Sequence, residues 1–322
     1  MPEEPPGQAA APQLPPPYLP PPVPVTTADG GRRYDGITYA RISGYRPLLL
    51  DLHAPPAGER PAPLVLWVHG GGWAEGDRRY PPPTVAGDRF FDAIVRSGLA
   101  VATIDYRHSL EAPFPAQLHD LRAAIRYLRL HAAELGLDTD RLALWGESAG
   151  AHLAVLAALA PARTPDGVDL EGEVGVTDPP SGGIRAVVDW YGPTDLRSAA
   201  AAFPAALAVP PAGHPFTALI GADPAQRPDL VRAATPLTYA DHPAPPFLIV
   251  HGTADRIVPH DQSRLLAERL EPHTSVELVI VPGADHIFAG APDVDSLVQR
   301  SIAFLAHHLA PDPGDTTGAL SG

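Results

Sequence analysis

The 322-residue chain has no cysteine, no lysine and no asparagine, and a single methionine. Without cysteine there is no disulfide, no thiolate nucleophile and no cysteine-ligated zinc or iron–sulfur centre, while the redox compartment stays open. All 23 basic residues are arginine, a coding bias that carries no mechanistic meaning. Positive charge is also scarce: 23 basic against 37 acidic side chains give a net charge of −14, which argues against nucleic acid or an anionic membrane as a partner. No apolar run approaches the ~18 residues of a membrane span. The chain opens Pro2-Glu3-Glu4-Pro5-Pro6 rather than with the basic start and apolar stretch of a secretory signal, so a cytoplasmic location is expected.

What is abundant is proline, 42 residues of it. Met1 to about Ala28 is dominated by it, as in Pro15-Pro16-Pro17-Tyr18-Leu19-Pro20-Pro21-Pro22, and such a segment favours solvated polyproline II over a packed core. Residues 1–35 are therefore expected to form a loose tail. A ligand for an SH3-like module is the weaker alternative. Residues 311–322, rich in Asp, Gly, Thr and Ser, are expected to form a second loose tail, leaving 36–310 as one folded domain.

Within that domain, Ile37 to Ile42 and Pro47 to His53 alternate as an antiparallel pair at a sheet edge would. Continuous apolar runs follow at Leu64 to Val68, Leu99 to Ile104, Leu142 to Trp145, Ile184 to Val188, Phe247 to Val250 and Val276 to Val281, the pattern of strands covered on both faces. Helical spacing occupies Phe90 to Ser97, Ala116 to Leu135, Ala149 to Ala160, Asp261 to Leu270 and Val294 to His308. The alternation predicts an α/β fold, a mostly parallel eight-stranded sheet with helices on both faces. Pro161 to Gly183 and Arg197 to Thr235 are long irregular stretches, expected as loop insertions over the carboxyl edge of the sheet, the second containing a short helix or two.

The run Leu142-Ala143-Leu144-Trp145-Gly146-Glu147-Ser148-Ala149-Gly150 places Gly-x-Ser-x-Gly between a strand and an Ala-rich helix. Such a turn exposes a serine nucleophile, with glycines where larger side chains would collide with the neighbouring strand and helix. The pattern alone has about a one in ten chance of arising in this composition, so its context carries the weight. His69-Gly70-Gly71-Gly72-Trp73 follows another strand, and a glycine run there frees several backbone N–H groups at once. The N–H groups of Gly71 and Gly72, with that of Ala149, are the expected oxyanion donors, and His69 is expected to hold the loop.

Asp255 follows Ser148 by 107 residues and His286 follows Asp255 by 31, each just beyond a strand and in the order Ser, Asp, His. An isolated aspartate in a turn or histidine in a loop is usually unremarkable; together with the elbow and the glycine run they read as acid and base. Asp285, adjacent to His286, is ranked below Asp255 because a neighbour in sequence is poorly placed to orient the same ring. His152 and His251 are expected to pack or hydrogen-bond. Neither a His-Glu-x-x-His pattern nor any other metal-site spacing occurs, so neither metal nor cofactor is expected.

With these motifs, and with Gly72-Trp73-Ala74-Glu75-Gly76-Asp77, Asp105-Tyr106-Arg107, Phe114-Pro115-Ala116-Gln117-Leu118-His119-Asp120 and Asp189-Trp190-Tyr191-Gly192-Pro193-Thr194-Asp195, the sequence resembles the α/β-hydrolase superfamily. The resemblance is to carboxylesterases of the hormone-sensitive-lipase and bacterial feruloyl/acetyl esterase type, over about Tyr39 to Leu309. It implies esterase or amidase chemistry without a cofactor, with a small-molecule ester as the expected substrate and short acyl or compact aromatic acyl groups favoured because the N-terminal helical cap of many such enzymes is replaced by proline-rich sequence. Ala151-His152-Leu153 is similar to kynurenine formamidases, which keeps an aryl-formamide substrate open. A non-catalytic ligand-binding relative is disfavoured because Ser148, Asp255 and His286 are all present.

Overall fold

The computed structural model describes residues 16–85, 88–210 and 213–311. Its sheet contains nine strands: β1 (Val25–Thr26), β2 (Arg32–Ala40), β3 (Leu48–Ala54), β4 (Ala62–Val68), β5 (Ala100–Ile104), β6 (Leu137–Glu147), β7 (Ala186–Trp190), β8 (Phe247–Gly252) and β9 (Val276–Val281). The order across the sheet is β1-β2-β3-β5-β4-β6-β7-β8-β9. The first three pairings are antiparallel and the remainder parallel. The eight expected strands are present, and β1 is a two-residue addition that pairs Val25 with Arg33.

The helices are α1 (Asp88–Arg96), α2 (Ala116–Leu130), α3 (Ala132–Leu135), α4 (Ala149–Leu159), α5 (Leu196–Ala202), α6 (Pro215–Ile220), α7 (Pro228–Ala233), α8 (Asp261–Leu270) and α9 (Val294–His308). The expected helix from Ala116 to Leu135 breaks at His131, and its continuation ends at Gly136 in the left-handed conformation, φ 66°, which glycine adopts without a Cβ penalty. Because side chains alternate along each strand, Leu64, Leu66, Leu142 and Leu144 face α2 and α4, whereas Val65, Trp67, Ala143 and Trp145 face α1 and α9. On the second face, Trp67, Trp145 and Trp190 stack edge to face at 5.6 and 4.9 Å, and Phe288 joins Trp190 at 5.1 Å. No helix among the described residues is long and apolar enough to cross a membrane.

The proline-rich segment is docked from residue 16 onward, in contrast to the loose tail expected through residue 35, and the expected boundary at 36 falls inside β2. The Tyr18 ring packs edge-on against Tyr127 at 5.9 Å. Leu19 N–H donates to Thr38 O at 3.0 Å, Arg41 N–H to Pro17 O at 2.7 Å, and Tyr127 Oη to Leu19 O at 2.7 Å. The tyrosine and the few non-proline amides among the prolines supply the burial and donors that composition alone does not reveal. The outer parts of both expected tails lie outside the described residues.

The two long insertions part company. Residues 161–183 run along α2, where Arg122 and Arg126 pair with Glu171 at 3.1 and 2.5 Å and Gly175 lies against the Tyr39 carbonyl. They line no part of the cleft described below, contrary to the expected position over the carboxyl edge. Residues 197–235 do overhang that edge and carry more helix than expected, with α5, α6, α7 and two single-turn 3₁₀ segments.

Candidate active site

Parallel strands deliver their carboxyl ends to one edge, so β4, β6, β8 and β9 lead into the glycine run, Ser148, Asp255 and His286 respectively. Ser148 sits at φ 51°, ψ −120°, a conformation that costs a non-glycine residue energy and holds its side chain clear of the turn. Neighbouring glycines make this turn sterically possible. A Cβ on Gly146 would meet Gly150 O at 2.4 Å, and one on Gly150 would meet Val68 O at 2.1 Å. The turn is tied to β7 by Ser148 N–H, which donates to Trp190 O at 2.8 Å.

The three side chains singled out by sequence meet here. His286 Nε2 lies 3.0 Å from Ser148 Oγ, and His286 Nδ1 lies 2.6 Å from Asp255 Oδ2. Asp255 Oδ1 accepts the N–H groups of Ile257 and Val258 at 2.8 and 2.9 Å, and Oδ2 also lies 3.1 Å from His251 Nε2. Burial opposes ionisation of Asp255, but hydrogen bonds from His251 and His286 outweigh it and hold the carboxyl well below the usual carboxylate range. His251 in turn meets Ser263 Oγ through Nδ1 at 2.7 Å, so it acts as a strut beneath the carboxylate. Asp285 is turned away from the imidazole. It accepts from Arg256 N–H at 3.1 Å and Nε at 2.9 Å, and from the backbone N–H of His286 at 2.8 Å.

The loop carrying His286 is held under strain. Ile287 and Phe288 both have positive φ, 56° and 60°, unusual for a β-branched and an aromatic residue. Burial of Phe288 in the tryptophan cluster and a hydrogen bond from Thr84 Oγ1 to Ile287 O keep them there.

The glycine run adopts the geometry that donation outward requires. Gly71 has φ 101°, and a Cβ there would meet Glu75 O at 2.2 Å. Gly70 N–H is taken by Glu147 Oε1 at 3.0 Å, whereas the N–H groups of Gly71 and Gly72 have no acceptor among the described residues. Ala149, the first residue of α4, has no intrahelical acceptor for its N–H, as at any helix start. His69 stacks on Tyr106 at 4.4 Å and meets Gly70 O through Nδ1 at 2.8 Å. Burial depresses its pKa to about 4, leaving it neutral.

Three supports hold the site together, of which only the hydrogen bonding of His152 was expected from the sequence. Glu147 is buried, its pKa raised by burial, and its second oxygen accepts the Tyr191 hydroxyl at 3.0 Å. Tyr191, at φ 48°, packs edge-on against His286 at 4.8 Å. Trp73 donates from Nε1 to His152 Nδ1 at 3.2 Å, and His152 Nε2 meets Ala234 O at 2.7 Å, fastening the glycine loop to the overhanging segment. Glu147 also left a signal in the sequence, as the one ionisable residue in the run Leu142 to Gly150.

Ser148 and His286 open onto a cleft of about 660 Å³ bordered by the glycine run, Tyr80 to Pro83, Ile257 and Ile287, and the overhanging Phe203, Leu207, Val209, Pro210 and Pro215. Serine, imidazole, carboxylate and free N–H groups arranged this way are equipped for acyl transfer. No group of three or more His, Cys, Asp or Glu residues among those described is arranged to hold a metal ion.

The BD-FAE family model matches residues 50–270. Esterase LipQ of Mycobacterium tuberculosis is 31% identical over 292 residues, covering 86% of this chain and 63% of that protein. Among solved structures, a bifunctional GH43-CE protein of Bacteroides eggerthii is 32% identical with a TM-score of 0.73, covering 86% of this chain and 38% of the other. A truncated carbohydrate esterase from gut microbiota is 28% identical with a TM-score of 0.73, covering 88% and 98%. The chain spans between about half and two thirds of the length of the curated relatives LipQ, LipC and LipM.

Proposed function

The chain belongs to the BD-FAE family and has the α/β-hydrolase fold, and on that premise we propose that it hydrolyses carboxylic esters through a covalent acyl-enzyme. The observation that carries the reading is the continuous contact from Ser148 Oγ through His286 to Asp255, at 3.0 and 2.6 Å. Mycobacterial and gut-bacterial relatives named as esterases support the reaction class.

In this mechanism His286 Nε2 takes the Ser148 proton as Oγ bonds to the ester carbonyl carbon. The carbonyl oxygen, now anionic, receives hydrogen bonds from the N–H groups of Gly71, Gly72 and Ala149. Asp255 holds the imidazole with Nδ1 protonated and stabilises the imidazolium. The tetrahedral intermediate collapses, the carbon–oxygen bond to the alcohol breaks, and His286 delivers its proton to the departing oxygen. Water then enters; His286 removes one proton as its oxygen attacks the acyl carbon, and returns that proton to Ser148 as the acid leaves.

Wall chemistry bears on the acyl group. The overhanging side of the cleft is apolar, and Pro215 lies beside the Gly72 donor, 3.6 Å from where a Cβ on Gly72 would be. Leu207 and Val209 at its rim are 49% and 60% exposed, so methylenes reaching past them stay in water and gain none of the ~0.8 kcal/mol that full burial of each supplies. Acyl groups of two to about four carbons, or compact aromatic acids, are expected to react best. The test is hydrolysis of p-nitrophenyl acetate, butyrate, octanoate and palmitate by the pure protein, with N-formylkynurenine alongside and Ser148→Ala as control. The expected outcome is a maximum at or below butyrate, loss of at least about 10⁴-fold in Ser148→Ala, and fluorophosphonate labelling that vanishes in the variant. Activity surviving in Ser148→Ala refutes the nucleophile. A maximum at octanoate or longer refutes the acyl preference, and N-formylkynurenine outrunning every ester makes the protein a formamidase.

A further inference from the structure

A second cavity lies in the overhanging segment itself. It measures about 400 Å³ and is an open pocket between α5, α6, the 3₁₀ turn Pro224–Gln226 and α7, with Leu196, Phe216, Ile220 and Val231 among its walls and Ala225 and Pro228 exposed at its rim. It shares no lining residue with the catalytic cleft. Phe216 stands between the two regions, buried and packed edge-on against Trp73 at 5.2 Å and Phe203 at 6.2 Å.

Every wall of this cavity is apolar except one. Arg197, a solvent-exposed residue in the first turn of α5, lines its open side, and its guanidinium has no hydrogen bond or ion pair among the described residues. The carboxylates nearest in sequence are already engaged. Asp195 accepts Arg197 N–H at 3.0 Å, Asp223 accepts Ala225 N–H at 2.9 Å, and Asp229 pairs with Arg227 at 3.0 Å. In a chain of net charge −14, an arginine left unpaired on the wall of an apolar cavity offers a single charge to a ligand that is otherwise hydrocarbon.

We propose that this cavity is a binding site for an aliphatic monocarboxylate, with the alkyl chain against Phe216, Ile220 and Val231 and the carboxylate on Arg197. The chemistry is that of the acid an acyl ester releases, but the site does not depend on hydrolysis. The esterase reading can fail while this binding stands, and the reverse also holds.

The test is calorimetric titration of the full chain with hexanoate, octanoate and decanoate below their micellar range, and with 1-decanol. Binding is expected to tighten about fourfold per added methylene until the cavity is filled. Arg197→Gln should weaken the carboxylates about tenfold while leaving 1-decanol unchanged, since only the charged contact is lost. Val231→Phe occupies the interior and Ala225→Trp closes the exposed rim. Either should abolish decanoate binding while p-nitrophenyl acetate turnover remains at the wild-type rate, which also establishes that the variants are folded. No saturable binding, or binding that competes with the ester and is untouched by Arg197→Gln and Ala225→Trp, overturns the proposal.

Discussion

The Tyr191 hydroxyl donates to Glu147 Oε2 at 3.0 Å, joining the turn after β7 to the turn that presents Ser148. The other oxygen of the same carboxylate holds Gly70 N–H, and the Tyr191 ring abuts His286. One buried carboxylate thus fixes the relative placement of the glycine loop, the turn carrying Ser148 and the imidazole.

Glu147→Gln replaces one of two acceptor oxygens by an amide that can only donate, so one of Gly70 N–H and Tyr191 Oη loses its partner. A lost buried hydrogen bond of this kind costs about 1–3 kcal/mol, and kcat for p-nitrophenyl acetate is expected to fall about tenfold or more with KM little changed. Tyr191→Phe, which leaves Gly70 held, should cost less. Steady-state kinetics on both variants decide it, and an unchanged kcat in Glu147→Gln removes the positioning role.

Asp255 and Asp285 both lie near His286, but only Asp255 touches its ring. Asp255→Asn should favour the wrong imidazole tautomer and lower kcat by roughly 10⁴-fold. Asp285→Asn should stay within about tenfold of wild type, because it gives up the charge of the exposed Arg256 pair while its remaining amide oxygen can still accept the His286 N–H. Comparable losses in the two variants would contradict this division of labour.

Asp189, wholly buried at the end of β7, accepts Gly192 N–H through Oδ1 at 2.8 Å while Oδ2 has no partner among the described residues. Burial pushes its pKa up to about 6. A raised folded-state pKa means that the protonated carboxyl stabilises the fold fully below the unfolded value of ~3.9, and that this contribution is lost as pH rises through about 6. At ~1.4 kcal/mol per pKa unit the loss is at most about 3 kcal/mol. Asp189→Asn cannot ionise and keeps an oxygen for Gly192, so its melting temperature relative to wild type should rise between about pH 4 and 6 and level off above that. A difference that does not change with pH would show that Asp189 does not titrate there.

Residues 16–26 contribute an edge-on tyrosine contact, hydrogen bonds to β2 and Tyr127, and the short strand β1. Deleting residues 1 to 28 is expected to lower Tm by roughly 2 to 6 °C with little effect on p-nitrophenyl acetate hydrolysis, because none of these contacts reaches the cleft. Thermal denaturation of the truncated protein measures it, and an unchanged Tm would mean that the docking adds no stability.

Periodicity, glycine placement and chain order were enough to set the parallel strands, the five main helices, and Ser148, Asp255 and His286 at the ends of β6, β8 and β9. These follow from local rules: a doubly covered strand must be apolar throughout, and a tight strand-to-helix turn admits only glycine where a Cβ would collide. Tertiary packing decided the rest. Pro16 to Thr26 was legible only as proline, because its stability comes from Tyr18 meeting Tyr127, more than a hundred residues away. Residues 161–183 and 197–235 looked alike as irregular sequence, yet one lies on α2 through Arg122, Arg126 and Glu171 and the other forms the wall of the cleft. Glu147 and Tyr191 became partners only when β6 and β7 came to lie side by side. Local sequence reports what one segment prefers, whereas a buried carboxylate shared by two turns, or a wall laid over the cleft by residues far along the chain, exists only after distant segments have been brought together.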